Sequence, residues 1–441
     1  MDNEKNSQFS TPNSPLIPPG YKRTDVGVMP EDWEVVPLKR LIDPDRKVTY
    51  GIVVPGPIAH NGVPMIRAQD YSHGWVDLDD LYRVSFEIDK SYKRSKVITG
   101  DVLLTIVGSV GNLAKVPSLF SGSNLTQQTA RLAFRPSTAD ADYYLNVLLS
   151  KLGKKEISNY TKAGVQPSLN LSDVEKFLLP YPPLPEQRAA AEALNDFDTL
   201  IESLEQLIAK KRQLKQGAMQ ELLTGTRRLP EFADETVGYK LTEGGVIPGD
   251  WEVKALGSIA PIATGNTPPT QDAANYGDEF LFVSPADLGF SKRISHTEKM
   301  LSKKGFSISR PFPKGSVLFV CIGSTIGKCG IASETLTSNQ QINAILPSIG
   351  LSPDYLYYAL SACAPKIKSL AGEQAVPIVN KAQFSETEIG LPSTKREQNA
   401  ITEVLSEMDA EIEALQAKAA KARELKQGMM HELLTGRIRL I

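Results

Sequence analysis

At 441 residues the chain is long enough for two or more domains, each burying a core of its own. With 49 Lys+Arg against 51 Asp+Glu, global charge announces no nucleic-acid partner. Three cysteines, Cys321, Cys329 and Cys363, argue against a disulfide framework and for a reducing compartment; Cys321 and Cys329 stand too far apart for a zinc knuckle, and no metal site is expected.

Residues 1–20, rich in Ser, Asn and Pro, read as a disordered tail without the basic start or apolar core of a signal peptide. No apolar run approaches the roughly 18–20 residues of a membrane helix, so a cytoplasmic protein with no membrane partner is expected. Residues 21–180 read as mixed structure: short β-rich runs such as Val102-Leu103-Leu104-Thr105-Ile106-Val107, broken by Gly, Pro and Asn, and one helical stretch from Tyr143 to about Leu152. Pro180, Pro182, Pro183 and Pro185 form a stiff hinge, and Pro185 followed by Glu186 suits a helix N-terminus.

Residues 181–225 then turn helical. Leu194, Phe197, Ile201, Leu204 and Ile208 step by three and four, with Lys211 and Lys215 inside the seam. A linker follows over 226–238, a second mixed segment over 239–392, and a second helical stretch over 393–441. Its stripe runs through Leu405, Met408, Ile412 and Leu415, broken only by Lys426. The 3.5-residue period is a coiled-coil signature, and each helix ends at a Thr-Gly C-cap. About 37–40 residues at about 1.5 Å each predict a rod of roughly 55–60 Å. Each stripe is longer than one domain can cover, so the two helices are expected to pair with each other. Equivalent units imply an antiparallel, pseudo-twofold pair, its lysines snorkelling to the edge.

The two halves repeat. Leu214-Lys215-Gln216-Gly217 and Glu221-Leu222-Leu223-Thr224-Gly225 recur as Leu425-Lys426-Gln427-Gly428 and Glu432-Leu433-Leu434-Thr435-Gly436. Pro30 and Asp32-Trp33-Glu34-Val35 recur as Pro248 and Asp250-Trp251-Glu252-Val253. Gly108-Ser109 matches Gly323-Ser324, and Gln127-Gln128 matches Gln340-Gln341. Between such anchors little is shared: one frame carries two contents.

No catalytic residue is expected. Gly323 to Cys329 resembles a phosphate loop but lacks its first glycine and its Mg²⁺-binding hydroxyl. Glu252-Val253-Lys254 has the shape of a nuclease pair, yet its repeat, Glu34-Val35-Val36, lacks the lysine. Binding chemistry is better represented. Lys93, Arg94 and Lys96 precede one Gly-x-Val-Leu strand; Lys292, Arg293, Lys303 and Lys304 precede the other, against a lone Glu298. Such strips suit phosphates. The Gly-Ser loops, with Ser109 and Asn112 or Ser324 and Lys328, can offer backbone amides to a phosphate, although an ordinary tight turn explains them equally well. Arg67, Gln69, Gln127, Ser284 and Gln340 are types that read base edges. Aromatic residues are not interleaved with the basic strips, which favours duplex over single-stranded DNA.

Taken in order, the Pro183-Leu184-Pro185-Glu186-Gln187-Arg188 opening, its partner Arg396-Glu397-Gln398, the paired tails and the Asp-Trp-Glu-Val blocks resemble the specificity subunit of type I restriction–modification enzymes. The resemblance implies an α+β chain: two target-recognition domains, each followed by a spacer helix, reading a bipartite asymmetric duplex site. It also implies two methyltransferase subunits and restriction/motor subunits as partners, with S-adenosylmethionine, ATP and Mg bound by them and no cofactor on this chain. The alternatives are a coiled-coil scaffold without a modification partner and, third, an enzyme in its own right.

Overall fold

The computed structural model describes residues 17–441 apart from 234–235, 243–244 and 373–374; the predicted tail therefore falls mostly outside the described residues. The chain forms two compact units that do not follow the sequential segments. One comprises residues 1–205 and 418–441, the other 206–417. Each unit holds one mixed domain, the first half of the helix that follows it, and the last half of the other long helix.

In the first unit a four-stranded antiparallel sheet runs in the order Thr49–Tyr50, Thr129–Leu132, Val102–Thr105, Leu113–Lys115. Beside it, strand Val63–Ile66 pairs antiparallel with Tyr82–Val84 and parallel with Asn124–Leu125. The second unit repeats this plan. Strands Ile262–Thr264, Ile342–Ile345, Val317–Val320 and Cys329–Ala332 form the matching sheet, with Arg293–Ile294 added in parallel at its edge. Central strands such as Val102–Thr105 and Val317–Val320 are buried throughout, which is why they read as apolar runs rather than alternating ones.

The helix foreseen from Tyr143 differs between units. In the first it is two helices, Ala141–Leu149 and Lys151–Tyr160, broken at Ser150, whose hydroxyl accepts from Gly153 N as an N-cap. In the second it is one continuous helix, Pro353–Ser369, with Ala362 ten residues after its N-cap where Ser150 stands ten after Asp140, and Ser361 donating back to Tyr357 O at 2.7 Å.

The long helices span Leu184–Thr224 and Lys395–Leu434. Within the first unit, Asp198 meets Lys426 and Glu205 meets Arg423; within the second, Lys211 meets Glu411 at 2.6 Å and Lys215 meets Asp409 at 2.5 Å. Partners descend one helix as they ascend the other, so the pairing is antiparallel. The seam lysines are held by carboxylates on the facing helix, which is more specific than snorkelling. Of the predicted packing positions, Leu194, Ile208, Leu405 and Ile412 are buried; Phe197, Ile201, Leu204, Met408 and Leu415 are half-buried.

Each helix also closes a core. Ala190, Ala191 and Leu194 start one wall of the first core, and Leu433 and Leu434 supply the other. Leu222, Leu223, Ile401 and Leu405 do the same in the second. Burying each such leucine contributes about 1.5–3 kcal/mol.

Candidate nucleic-acid interface

The best-repeated motifs turn out to be joints of the frame. Glu397 accepts from Arg228 Nε at 2.9 Å and Nη2 at 2.8 Å, and Arg228 also holds Asp250. In the first unit Arg439 holds Glu186 and Asp32 in the same way. Those carboxylates hold Arg228 and Arg439 above the usual guanidinium range. Gln187 accepts from Asp140 N at 2.8 Å and donates to Thr138 O and Pro182 O; Gln398 accepts from Ser352 N at 2.8 Å and donates to Gly350 O and Pro392 O. Gly436 and Gly225 end the helices with φ of +70° and +71°, pressed on Pro30 and Trp33, and on Pro248 and Trp251. The tail of each long helix thus grips the opening block of the unit it closes.

Loops gather at one edge of each main sheet. In the first unit, Gln127 N donates to Ile52 O at 3.0 Å, Ile106 N to Gln128 O at 2.8 Å and Gly108 N to Pro167 O at 3.0 Å. Ser109, Gln127, Val54 and Val165 are exposed there, and Asn112 is half-buried. In the second, Cys321 N donates to Gln341 O at 2.8 Å, Gly323 N to Pro377 O at 2.9 Å and Thr267 Oγ1 to Gln340 Oε1 at 2.6 Å. Ser324, Gln340 and Val376 are exposed. The fold brings the predicted Gly-Ser loops and glutamine pairs together. Within these turns Gly108, Val110 and Gly111 donate within the protein, as do Gly323, Ile326 and Gly327, so those amides are already committed, as in an ordinary tight turn.

Several predicted contacts have internal work. Arg67 is fastened to Asp70 at 2.8 Å and lies over the Tyr82 ring; Ser284 bonds Asp287 at 2.7 Å at the matching turn. Both carboxylates cap short 3₁₀ turns, leaving Gln69 as the exposed polar side chain of the first. Lys96 pairs with Asp89 at 2.8 Å. Lys292 reaches Ser406 Oγ at 2.7 Å and Asp354 at 3.0 Å, facing the second long helix. Arg293 pairs with Asp354 and Lys304 with Asp272, which lies depressed from its usual value by that contact. Lys303 approaches Glu279 at 3.9 Å, and Lys328 lies over the Phe290 ring at 5.3 Å. The second strip therefore faces Asp272, Glu279 and Asp354 as well as Glu298; chain distance hid those acids.

The first strip is different. Lys93 and Arg94 are exposed, with no ion-pair partner among the described residues. Arg131 lies beneath them: its guanidinium donates to Arg94 O and Lys96 O at 2.7 Å and to Lys47 O at 3.2 Å. Burial pulls its proton affinity below the usual arginine range, with Arg46 adding to the effect. Sequence reasoning passed over Arg131 and Lys47; the available signal was a charge inside the apolar run Ala130-Arg131-Leu132.

Among the described residues no cluster of His, Cys, Asp and Glu could hold a metal, and no helix is long and apolar enough to cross a membrane. Two similar sheet domains, each followed by a long helix, thus repeat one frame with unlike loop edges. The chain belongs to the family described as the type I restriction modification DNA specificity domain, whose model matches residues 30–212 and 248–422, once in each half. It is the DNA specificity subunit, a non-catalytic component, of a type I restriction–modification complex. Over 433 residues it is 29% identical to a protein of Methanocaldococcus jannaschii assigned as the MjaX type I restriction enzyme specificity subunit, spanning 95% of this chain and 97% of that one. It is 30% identical over 203 residues to the EcoBI specificity subunit of Escherichia coli, 45% of this chain and 42% of that one. The solved S subunit from M. genitalium shares the fold, with a TM-score of 0.55 at 14% identity over 91% of this chain and 96% of that one. A chain solved in work on type I R-M complex assembly gives 0.56 at 17% identity over 93% and 99%.

Proposed function

We propose that the segments 21–180 and 239–392 are target-recognition domains, each reading one half of a bipartite, asymmetric duplex site through its loop edge. The paired helices set the spacing between the halves. The observation that carries this reading is a duplicated frame with unlike loop edges. The glutamate–arginine and glutamine joints repeat position for position, whereas Gln127 is tied through its N–H to the carbonyl of apolar Ile52 and Gln340 is held by Thr267. Unlike edges favour unlike half-sites. Contact residues in this reading are Gln69, Lys93, Arg94, Ser109 and Gln127 in one domain, with Ser324, Lys328, Lys303 and Gln340 in the other.

Two methyltransferase subunits are the proposed partners on the frame, with restriction/motor subunits joining them. The support is a pair of equivalent grooves. One of about 900 Å³ includes Met219, Leu223, Ile412 and Cys363 with Asp409 and Glu413. The other, of about 710 Å³, includes Met430, Leu434, Leu149 and Leu152 with Lys151 and His431. Equivalent grooves suit two copies of one partner. S-adenosylmethionine, ATP and Mg would be held by those partners, in the cytoplasm.

The test is co-expression with a candidate methyltransferase subunit and mapping of adenine methylation by methylation-sensitive sequencing. Methylation at an asymmetric bipartite motif, absent without this chain, is expected. Modification by this chain alone would make it an enzyme. An assembled complex without any modification would favour a scaffold.

A further inference from the structure

We propose that Lys47, Lys93 and Arg94 form one phosphate-contacting cluster on the first domain, and that Arg131 is the positioning residue that assembles it. The inference rests on the duplex-DNA reading above and names residues within it. Arg131 is 4% exposed, in a strand buried along its whole length. Its Nη1 donates to the carbonyls of Arg94 and Lys96 and its Nη2 to that of Lys47, so one side chain ties the loop before the Thr49–Tyr50 strand to the turn Lys93–Ser95.

A buried cation ordinarily needs an anionic partner. Among the described residues Arg131 has no ion pair; its guanidinium donates to backbone carbonyls, with Arg46, Asp101 and Asp43 close enough to act through their charge, and its Nε is buried without a partner. The nearest acids are committed elsewhere. Asp101 takes Arg46 through both oxygens at 2.6 Å, and Asp89 takes Lys96. Asp43, on the loop that ends at Lys47, accepts from Asp45 N at 2.9 Å, and it is, with Asp101, the opposing charge that acts on Arg131. Lys47, Lys93 and Arg94 are exposed and unpaired among the described residues.

Tying the backbone segments that carry three exposed cations to one buried arginine raises the local positive charge, which an anion with repeated charges lying across them would offset. Duplex DNA carries one charge per about 1.7 Å of axis. Among the described residues the second domain has no buried arginine at this place: Ala344 stands at the strand position matching Arg131, while Lys292, Arg293 and Lys304 are ion-paired. The cluster therefore serves one half-site only.

The experiment uses the full chain co-expressed with its methyltransferase subunit and a fluorescent duplex of random sequence, titrated between about 50 and 200 mM salt. Lys47→Ala, Lys93→Ala and Arg94→Ala should each reduce the slope of log affinity against log salt by about 0.9. Arg131→Met should lower the slope by more than any one of them with the thermal unfolding of the chain retained, and Arg131→Lys should restore most of it. Footprints on the mapped target should weaken at the first domain's half-site alone. If Arg131→Met unfolds, Lys47→Ala decides the matter, since that side chain is exposed. Variant slopes equal to that of the wild type, with the wild-type complex still methylating its motif, would overturn the cluster and leave the specificity role standing. A wild-type complex that directs no sequence-specific methylation would remove that role first.

Discussion

Arg228 and Glu397 are joined by two hydrogen bonds, 2.9 and 2.8 Å long, across 169 residues of chain. The pair repeats as Arg439 and Glu186. Both arginines follow a Thr-Gly helix end, and both glutamates open the other long helix. This relationship explains why the helix tails and the Glu-Gln openings are the most faithfully repeated parts of the chain.

The two joints should not be equally strong. Arg228 and Glu397 side chains are 9% and 4% exposed, whereas Arg439 is 37% exposed. Removing one partner of a buried pair strands the other charge, at about 3–5 kcal/mol. Arg228→Ala should approach that range and Arg439→Ala should fall clearly below it, because water screens the latter. Urea unfolding of the two variants checks the order; equal losses would mean the joints owe little to burial.

Gly225 and Gly436 hold left-handed backbone against proline and tryptophan side chains. Alanine at either position meets a backbone penalty of roughly 1–2 kcal/mol before any clash with Pro248 or Pro30. Thermal unfolding should show Gly225→Ala and Gly436→Ala as destabilising, and Gly217→Ala, inside the first long helix with open space around it, as neutral or stabilising.

Leu204→Glu and Leu415→Glu place a charge on the helix seam. Each should cost about 2–3 kcal/mol and abolish methylation at the fixed half-site spacing. Methylation mapping that returned the original spacing from the Leu204→Glu chain would refute the spacer role of the helices.

Burial raises the Cys321 and Cys329 thiols to about 12 and about 11, from an ordinary 9.0. A raised folded value leaves this stability intact below pH 9.0 and removes it as pH climbs toward the folded values, because the unfolded thiolates form first. Urea midpoints should therefore fall above about pH 9, and the fall should be shallower in Cys329→Ala than in the wild type. A parallel fall in both proteins would remove Cys329 as a cause.

Cys363 is half-buried and lines the larger groove. Alkylation there should be slowed severalfold by a bound methyltransferase subunit, as read by mass spectrometry. Unchanged labelling in the assembled complex would move the docking surface elsewhere.

Much of the frame was legible in the chain itself. Helix seams at period 3.5, Thr-Gly stops and the duplicated blocks depend on local backbone preference and apolar spacing, which sequence displays directly. Two domains of one fold with paired helices followed from those alone. Three things needed the tertiary structure. Long-range pairing decided which cations are free: Lys292, Arg293 and Lys304 look like a basic strip until the fold sets Asp354 and Asp272 beside them, while Lys93 and Arg94 stay open. Burial decided that Arg131 gathers two loops from inside a strand. And chain crossing decided that each long helix is shared between two units, so that Leu433 and Leu434 close the first core and Leu222 and Leu223 the second. Charge and burial are set by neighbours in space; a chain read in order shows only neighbours in sequence.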